Sequence, residues 1–200
     1  PQQLLMLSVA AAALDDCRSA DPDPTHTAAF VGLGLDPNTT NYHLRWAAKG
    51  KAFAAADDGD GRPTDPAAAA WADAVADAVG PPLTADRVLG ALGSIAASRI
   101  ARTFHFGGPS FTVCSEETSA GRAVELAVRA LRNRELDRAV AGGVDLAGDP
   151  RAVLAADAQR PVSGSGAADP LGRGGGGGVP GEGAAAVVLK RLSDAERDGD

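Results

Sequence analysis

The segment Gly108–Gly121 combines the residue types that a nucleophilic site needs: glycines for a turn, then a thiol, hydroxyls and carboxylates. Its pattern predicts a short strand, Phe111–Val113, a sharp turn, and a helix over Arg122–Arg132. Such a turn presents one side chain at a helix N-terminus, where unpaired backbone N–H groups favour negative charge. An acyl-transfer enzyme places its nucleophile there. We call the turn Cys114–Thr118 the elbow; its residues decide whether the chain performs covalent chemistry.

Helices and short apolar strands alternate around the elbow. The runs Ala28–Leu35, Arg138–Leu146 and Ala184–Leu192 lack polar alternation, which is typical of strands covered on both faces. The pattern therefore predicts an α/β protein with a mostly parallel sheet between helices. The spacing and type of residues predict helices over Gln2–Asp16, Tyr42–Ala56, Pro66–Val79, Arg87–Phe104 and Pro150–Ala158.

Composition excludes several classes of partner. The net charge of the 200 residues is −7 and no basic stripe occurs, so we expect neither nucleic acid nor a membrane surface as a partner. No apolar run approaches the roughly 18 residues of a membrane-spanning helix. Cys17 and Cys114 have no CxxC spacing, which argues against a disulfide framework or a zinc site and indicates a reducing, cytoplasmic setting. The chain begins without Met in a predicted helix, so we expect a fragment of a longer protein.

Two loops resemble ligand-binding motifs only superficially. Asp57–Gly61 is similar to a calcium loop, but the position of the closing glutamate falls on Ala68 or Ala69. Gly172–Gly178 has the glycines of a phosphate loop without the Lys-Ser/Thr that follows them, and it lies in a predicted flexible loop, 163–178. We therefore expect no metal and no bound cofactor.

Four segments, in order, resemble the β-ketoacyl synthase (ketosynthase) family. The resemblance covers nearly the whole chain, and its segments are Pro1–Leu5, Leu92–Ile100 followed by Phe106–Val113, Glu135–Leu146 and Val179–Leu192. It implies a thiolase-like αβαβα sandwich, of which residues 1–200 would form the N-terminal half without its opening strand. The C-terminal half, with two histidines that the family uses in decarboxylation and condensation, is absent. The resemblance also implies a dimer with Phe111–Val113 at its interface, and acyl substrates on the phosphopantetheine of acyl carrier proteins.

The resemblance places Glu117 where the family has its nucleophilic cysteine. Family members read Gly-Pro-Ser, a strand, and then Asp-Thr-Ala-Cys-Ser-Ser. Counting seven residues on from Ser110, or fourteen back from Leu131, leads to Glu117 in both cases, and Cys114 takes the place of the family's aspartate. A carboxylate stabilised at a helix N-terminus is a weak nucleophile, and its acyl product is a mixed anhydride that water hydrolyses. Ordinary condensation at this position is therefore not expected.

Three interpretations of the elbow remain. Glu117 satisfies backbone N–H groups in a non-elongating domain; or the chain retains decarboxylase activity, as in family members with Gln at this position; or Cys114 is the working thiol in a condensing enzyme. The position of Cys114 at the end of a strand instead predicts an inert core cysteine. The segment Phe30–Trp46 resembles the chain-length-factor-like ketosynthase of polyunsaturated fatty acid synthases and iterative polyketide synthases. This resemblance favours a domain that pairs with an active ketosynthase and shapes its acyl tunnel.

Overall fold

The computed structural model of the protein describes residues 1–17, 23–34, 37–55, 65–146, 150–166 and 177–200. The acidic turn Asp57–Gly61 and most of the glycine run Gly172–Gly178 lie outside the described residues. The chain forms two compact units. The first contains Pro1–Leu35 and Leu92–Asp200, and the second contains Asp36–Ala91.

The first unit is built on a four-stranded mixed sheet in the order β2-β1-β3-β4. β1 is parallel to both β2 and β3, whereas β4 is antiparallel to β3. All seven residues of β1 are buried, which explains why its sequence shows no polar alternation. The predicted mostly parallel sheet is thus confirmed. The strands are β1 (Thr27–Leu33), β2 (Ser110–Val113), β3 (Arg138–Leu146) and β4 (Glu182–Lys190).

Helices cover both faces of this sheet, because successive strand residues point to opposite sides. On one face, Ala29 and Val31 of β1 pack with side chains of helices α1 and α5, including Met6 and Ile100. On the other face, Ala28 and Phe30 pack with the apolar side of α6. The helices of this unit are α1 (Gln2–Asp15), α5 (Ile95–Thr103), α6 (Ser119–Arg132), α7 (Pro150–Gln159) and α8 (Leu192–Asp198).

The second unit contains the helices α2 (Pro37–Ala55), α3 (Pro66–Val79) and α4 (Ala85–Ala91). The Asp65 side chain accepts a hydrogen bond of 2.9 Å from the backbone N–H of Ala67 and so caps the N-terminus of α3. Charged residues one turn apart join α2 to α3. They form the ion pairs Arg45–Asp77 (2.5 Å) and Lys49–Asp73.

One helix was predicted as continuous but is interrupted in the structure. Arg87–Phe104 is not a single helix, because the chain leaves α4 at Leu92 and starts α5 at Ile95. Gly93 lies in this break, and a Cβ there would be 3.2 Å from a methyl carbon of Leu33. The break therefore lets the chain pass close to β1. Other boundaries shifted by a few residues: β4 starts and ends two residues earlier than expected, and α6 starts at Ser119. No helix in the described ranges is long and apolar enough to cross a membrane.

Candidate functional site

The elbow connects the end of an edge strand to the start of an amphipathic helix. β2 ends at Val113, a single 3-10 turn spans Glu116–Thr118, and α6 begins at Ser119. Glu116 has a φ of 49°, in the left-handed region that residues with a side chain seldom adopt. The predicted strand–turn–helix is therefore present, and its sharpest bend is at the residue just before Glu117.

Hydroxyl groups of the elbow and of α6 hold this backbone in place. The buried Ser119 accepts a hydrogen bond of 2.8 Å from the backbone N–H of Ser115, and its Oγ donates one of 2.6 Å to the carbonyl of Glu116. Thr118 Oγ1 donates a hydrogen bond of 2.7 Å to the Ser115 carbonyl. Together these bonds fix both ends of the turn without using the side chain at position 117.

Two glycines let the N-terminus of α6 lie directly against the sheet. A Cβ on Gly32 of β1 would be 2.4 Å from the backbone N of Ala120, and one on Gly143 of β3 would be 2.7 Å from the Ala120 Cβ. Neither position tolerates a side chain without displacement of the helix. This role of the two glycines was not predicted from the sequence, although glycine inside a predicted strand is a recognised signal of close backbone approach.

Glu117 lies in the turn between β2 and α6. Its side chain is 68% exposed, and its carboxylate forms an ion pair with the guanidinium of Arg160. Within the part of the chain that the structure describes, this contact is with a cation and not with a backbone N–H group. Arg160 follows directly after α7 and was not identified from the sequence, because only the tertiary fold brings it to the elbow.

The two cysteines differ in environment. Cys114 follows β2 and is exposed, so the expectation of a core cysteine was wrong. It lies beyond the last strand residue, where its side chain is no longer enclosed. Cys17 is partly buried and its Sγ donates a hydrogen bond of 3.4 Å to the Ala13 carbonyl. Burial raises the pKa of the Cys17 thiol, which disfavours the nucleophilic thiolate.

Among the described residues, no group of three or more His, Cys, Asp or Glu side chains is placed to hold a metal ion. The arrangement at the elbow is therefore a carboxylate paired with a guanidinium at the start of a helix of 14 residues. Such a pair can bind, exclude or orient a charged group, but it lacks the thiolate that forms a stable acyl intermediate.

The chain belongs to the β-ketoacyl synthase family: the model of the β-ketoacyl synthase N-terminal domain matches residues 1–195. The chain is similar to parts of polyketide synthases. NorA′, a protein of the spectinabilin polyketide synthase system of Streptomyces orinoci, is 42% identical over 112 residues, which are 56% of this chain and 3% of that protein. The phthioceranic/hydroxyphthioceranic acid synthase of Mycobacterium bovis is 42% identical over 107 residues, which are 54% of this chain and 5% of that protein.

Solved ketosynthase structures share the fold over nearly the whole chain. The oxazolomycin ketosynthase domain OzmH KS7 of Streptomyces albus has a TM-score of 0.70 at 28% identity, covering 100% of this chain and 29% of that chain. The ketosynthase–chain length factor of PfaC has a TM-score of 0.74 at 25% identity, covering 96% of this chain and 20% of that chain. The expected thiolase-like fold is thereby confirmed. The chain spans less than a third of either solved chain and a few per cent of the curated relatives named above.

Proposed function

We propose that residues 1–200 are the N-terminal half of a non-elongating, chain-length-factor-type ketosynthase domain of a polyketide or fatty acid synthase. In this proposal the domain pairs with an active ketosynthase and shapes the tunnel that receives the acyl chain. The observation on which the proposal depends is the identity of the elbow residue. Glu117, paired with Arg160, occupies the turn before α6.

The chemistry of this pair argues against chain elongation. Condensation requires a group that attacks a thioester carbonyl, keeps the acyl group, and then releases it to a carbanion. The Glu117 carboxylate is a much weaker nucleophile than a thiolate. An acyl group on it would form an anhydride, which hydrolyses before a slow second step. The similarity to the ketosynthase–chain length factor of PfaC further supports the proposed role.

The test is acyl loading from carrier-protein thioesters. We expect the wild-type protein to take up no acyl group and to leave malonyl thioester unchanged, as followed by mass spectrometry of protein and carrier. Glu117→Cys is the matched variant, because the elbow is fixed by its hydroxyl groups and not by residue 117. Acyl loading of this variant would show that the proposed loss is confined to the nucleophile. Consumption of malonyl thioester by the wild type would refute the proposal.

The second candidate is a decarboxylase that acts on malonyl thioesters. The negative charge of Glu117 repels a malonyl carboxylate, but the adjacent Arg160 offsets part of that charge, and this contact keeps the candidate open. The same assay separates the two candidates: a decarboxylase converts malonyl thioester to acetyl thioester without a stable acyl-enzyme, whereas the non-elongating domain leaves malonyl thioester unchanged. A condensing enzyme would also form a longer product.

For pairing, we propose that β2 lies at the interface with a partner ketosynthase or a second copy of this chain. β2 is an edge strand of the sheet. Its residue Phe111 is 43% exposed, although the Phe111 ring packs edge-on against the Phe30 ring with 5.0 Å between the ring centroids. An aromatic residue that is exposed on an edge with no partner strand among the described residues favours pairing. Phe111→Asp is expected to weaken association in sedimentation experiments, whereas Leu154→Asp, on exposed α7, is the control. A purely monomeric wild type, with or without a ketosynthase, would contradict this interface.

A further inference from the structure

Arg160 is the described partner of the Glu117 carboxylate, and it reaches the elbow from a separate element. It lies at the C-terminal end of α7, far along the chain from β2 and α6. Both side chains are largely exposed, at 72% for Arg160 and 68% for Glu117, so burial does not force them together. Their contact depends on where the backbone of each residue is held.

The backbone around Arg160 is fixed on both sides. The Arg160 N–H donates to the carbonyl of Ala156 at 2.8 Å, which continues the hydrogen bonding of α7 by one residue. The Asp157 carboxylate accepts a hydrogen bond of 2.8 Å from the N–H of Val162. Two further backbone hydrogen bonds tie the following residues to the segment before β4. The Ser163 N–H donates to the Gly178 carbonyl at 2.8 Å, and the Gly178 N–H donates to the Pro161 carbonyl at 3.1 Å. The backbone that carries the Arg160 side chain is therefore held by hydrogen bonds on both sides.

We infer that Arg160 is a positioning residue of the elbow: its guanidinium holds the Glu117 carboxylate at the N-terminus of α6 and supplies a fixed positive charge at position 117. This inference rests on the proposed function, since it names the residue that holds the carboxylate of the non-elongating elbow. A simpler role exists for the same residue. A cation at the C-terminal end of α7 also stabilises the exposed carbonyls there, and that role needs no Glu117.

A thiol introduced at position 117 reports the charge that Arg160 supplies. The probe is the Glu117→Cys variant in a background of Cys17→Ser and Cys114→Ser, so that a single thiol remains. The rate of alkylation by iodoacetamide as a function of pH gives the pKa of that thiol. The measurement is made with Arg160, with Arg160→Gln and with Arg160→Lys. Arg129→Gln is the control for a general change in charge, since Arg129 is exposed near the far end of α6.

We expect the thiol pKa to be lower with Arg160 than with Gln by about one pH unit, because an adjacent cation favours the thiolate. Arg160→Lys recovers part of the difference, and Arg129→Gln leaves it unchanged. Equal pKa values with Arg160 and Gln overturn the inference, because a role confined to α7 leaves the charge at position 117 unaltered. If circular dichroism shows that the Arg160→Gln variant is unfolded, the charge of Arg160 is screened with salt instead of being removed by substitution.

Raising the salt concentration from about 0.05 to about 1 M screens an exposed cation and is expected to raise the thiol pKa of the Arg160 protein. A pKa that does not respond to salt overturns the inference. The outcome is independent of the loading assay: wild-type consumption of malonyl thioester refutes the proposed function, whatever the thiol pKa. An unchanged thiol pKa refutes the role of Arg160 and leaves the non-elongating domain intact.

Discussion

At the scale of single residues, the elbow separates the groups that hold its shape from the group available for chemistry. The hydroxyls of Thr118 and Ser119 bind the backbone of Ser115 and Glu116, whereas the side chain of Glu117 points outward. A replacement at position 117 therefore changes the chemistry without removing a bond that forms the turn. The shape of the turn is therefore compatible with glutamate at this position.

Ser119→Ala is expected to destabilise the protein by about 1–2 kcal/mol, because it leaves a backbone N–H and a carbonyl of the turn without their partner. Urea denaturation measures the change. Ser98→Ala is the matched control: its hydroxyl donates to the Ser94 carbonyl on an exposed helix surface, so its cost is expected within about 0.5 kcal/mol of zero. Equal costs for the two variants would mean that the Ser119 bonds do not support the elbow.

Glu116→Gly is expected to stabilise the protein by about 0.5–1 kcal/mol, because the left-handed conformation at this position penalises a side chain by about 1 kcal/mol or more. Glu125→Gly is the contrasting variant, since Glu125 lies inside α6, where glycine costs about 1 kcal/mol. Thermal denaturation gives both values. A destabilising Glu116→Gly would indicate that the Glu116 side chain has a structural role of its own.

At the scale of elements, apolar patterning predicted the four strands and most of the helices, but it did not predict the short, polar helix α8. β3 was predicted with its observed ends, since Arg138–Leu146 is a run of mostly apolar residues, of which the first five are buried. The break between α4 and α5 was missed, because helical spacing continues through Gly93 and only the approach to Leu33 interrupts the helix. A close contact between Gly93 and the Leu33 side chain thus marks a break that periodicity alone did not show.

Gly32→Ala is expected to cost about 3 kcal/mol or more, since the new methyl group would overlap the backbone of Ser119 and Ala120 at the start of α6. Gly34→Ala, two residues along the same segment, has no atom within 4 Å of the new Cβ and is expected to be nearly neutral. Chemical denaturation compares the two variants. A well-tolerated Gly32→Ala would show that α6 moves away from the sheet easily, and that the elbow is not rigidly placed.

At the scale of the whole molecule, the family and the α/β sheet could be inferred from short segments, but the contact of Glu117 with Arg160 could not. Residue types and local spacing identify the elbow, whereas its partner is set by the path of the chain after β3. The same holds for Arg191, which follows β4 and donates to the carbonyl of Leu131 near the end of α6 and to that of Leu136 beyond it. Long-range contacts of this kind leave no periodic signal in a sequence.

Asp194 of α8 forms local ion pairs whose contribution to stability can be tested through pH. Its carboxylate pairs with Arg191 and, at 2.8 Å, with Arg197. Burial alone would raise the pKa of Asp194, but the hydrogen bonds from these arginines outweigh it and hold the pKa below its usual range. A carboxyl group with a lowered pKa in the folded state stabilises the protein above its unfolded value, about 3.9. That stability is lost as the pH falls through the folded pKa.

The free energy of unfolding is therefore expected to decrease as the pH falls from about 5 towards 2, and Asp194→Asn is expected to flatten this decrease. Urea denaturation at a series of pH values measures the slope. Asp15→Asn is the control, because Asp15 is exposed and has no described ion pair. If Asp194→Asn kept the full wild-type slope, the arginines around Asp194 would not stabilise its ionised form, and the attachment of α8 beside β4 would depend on its apolar contacts instead.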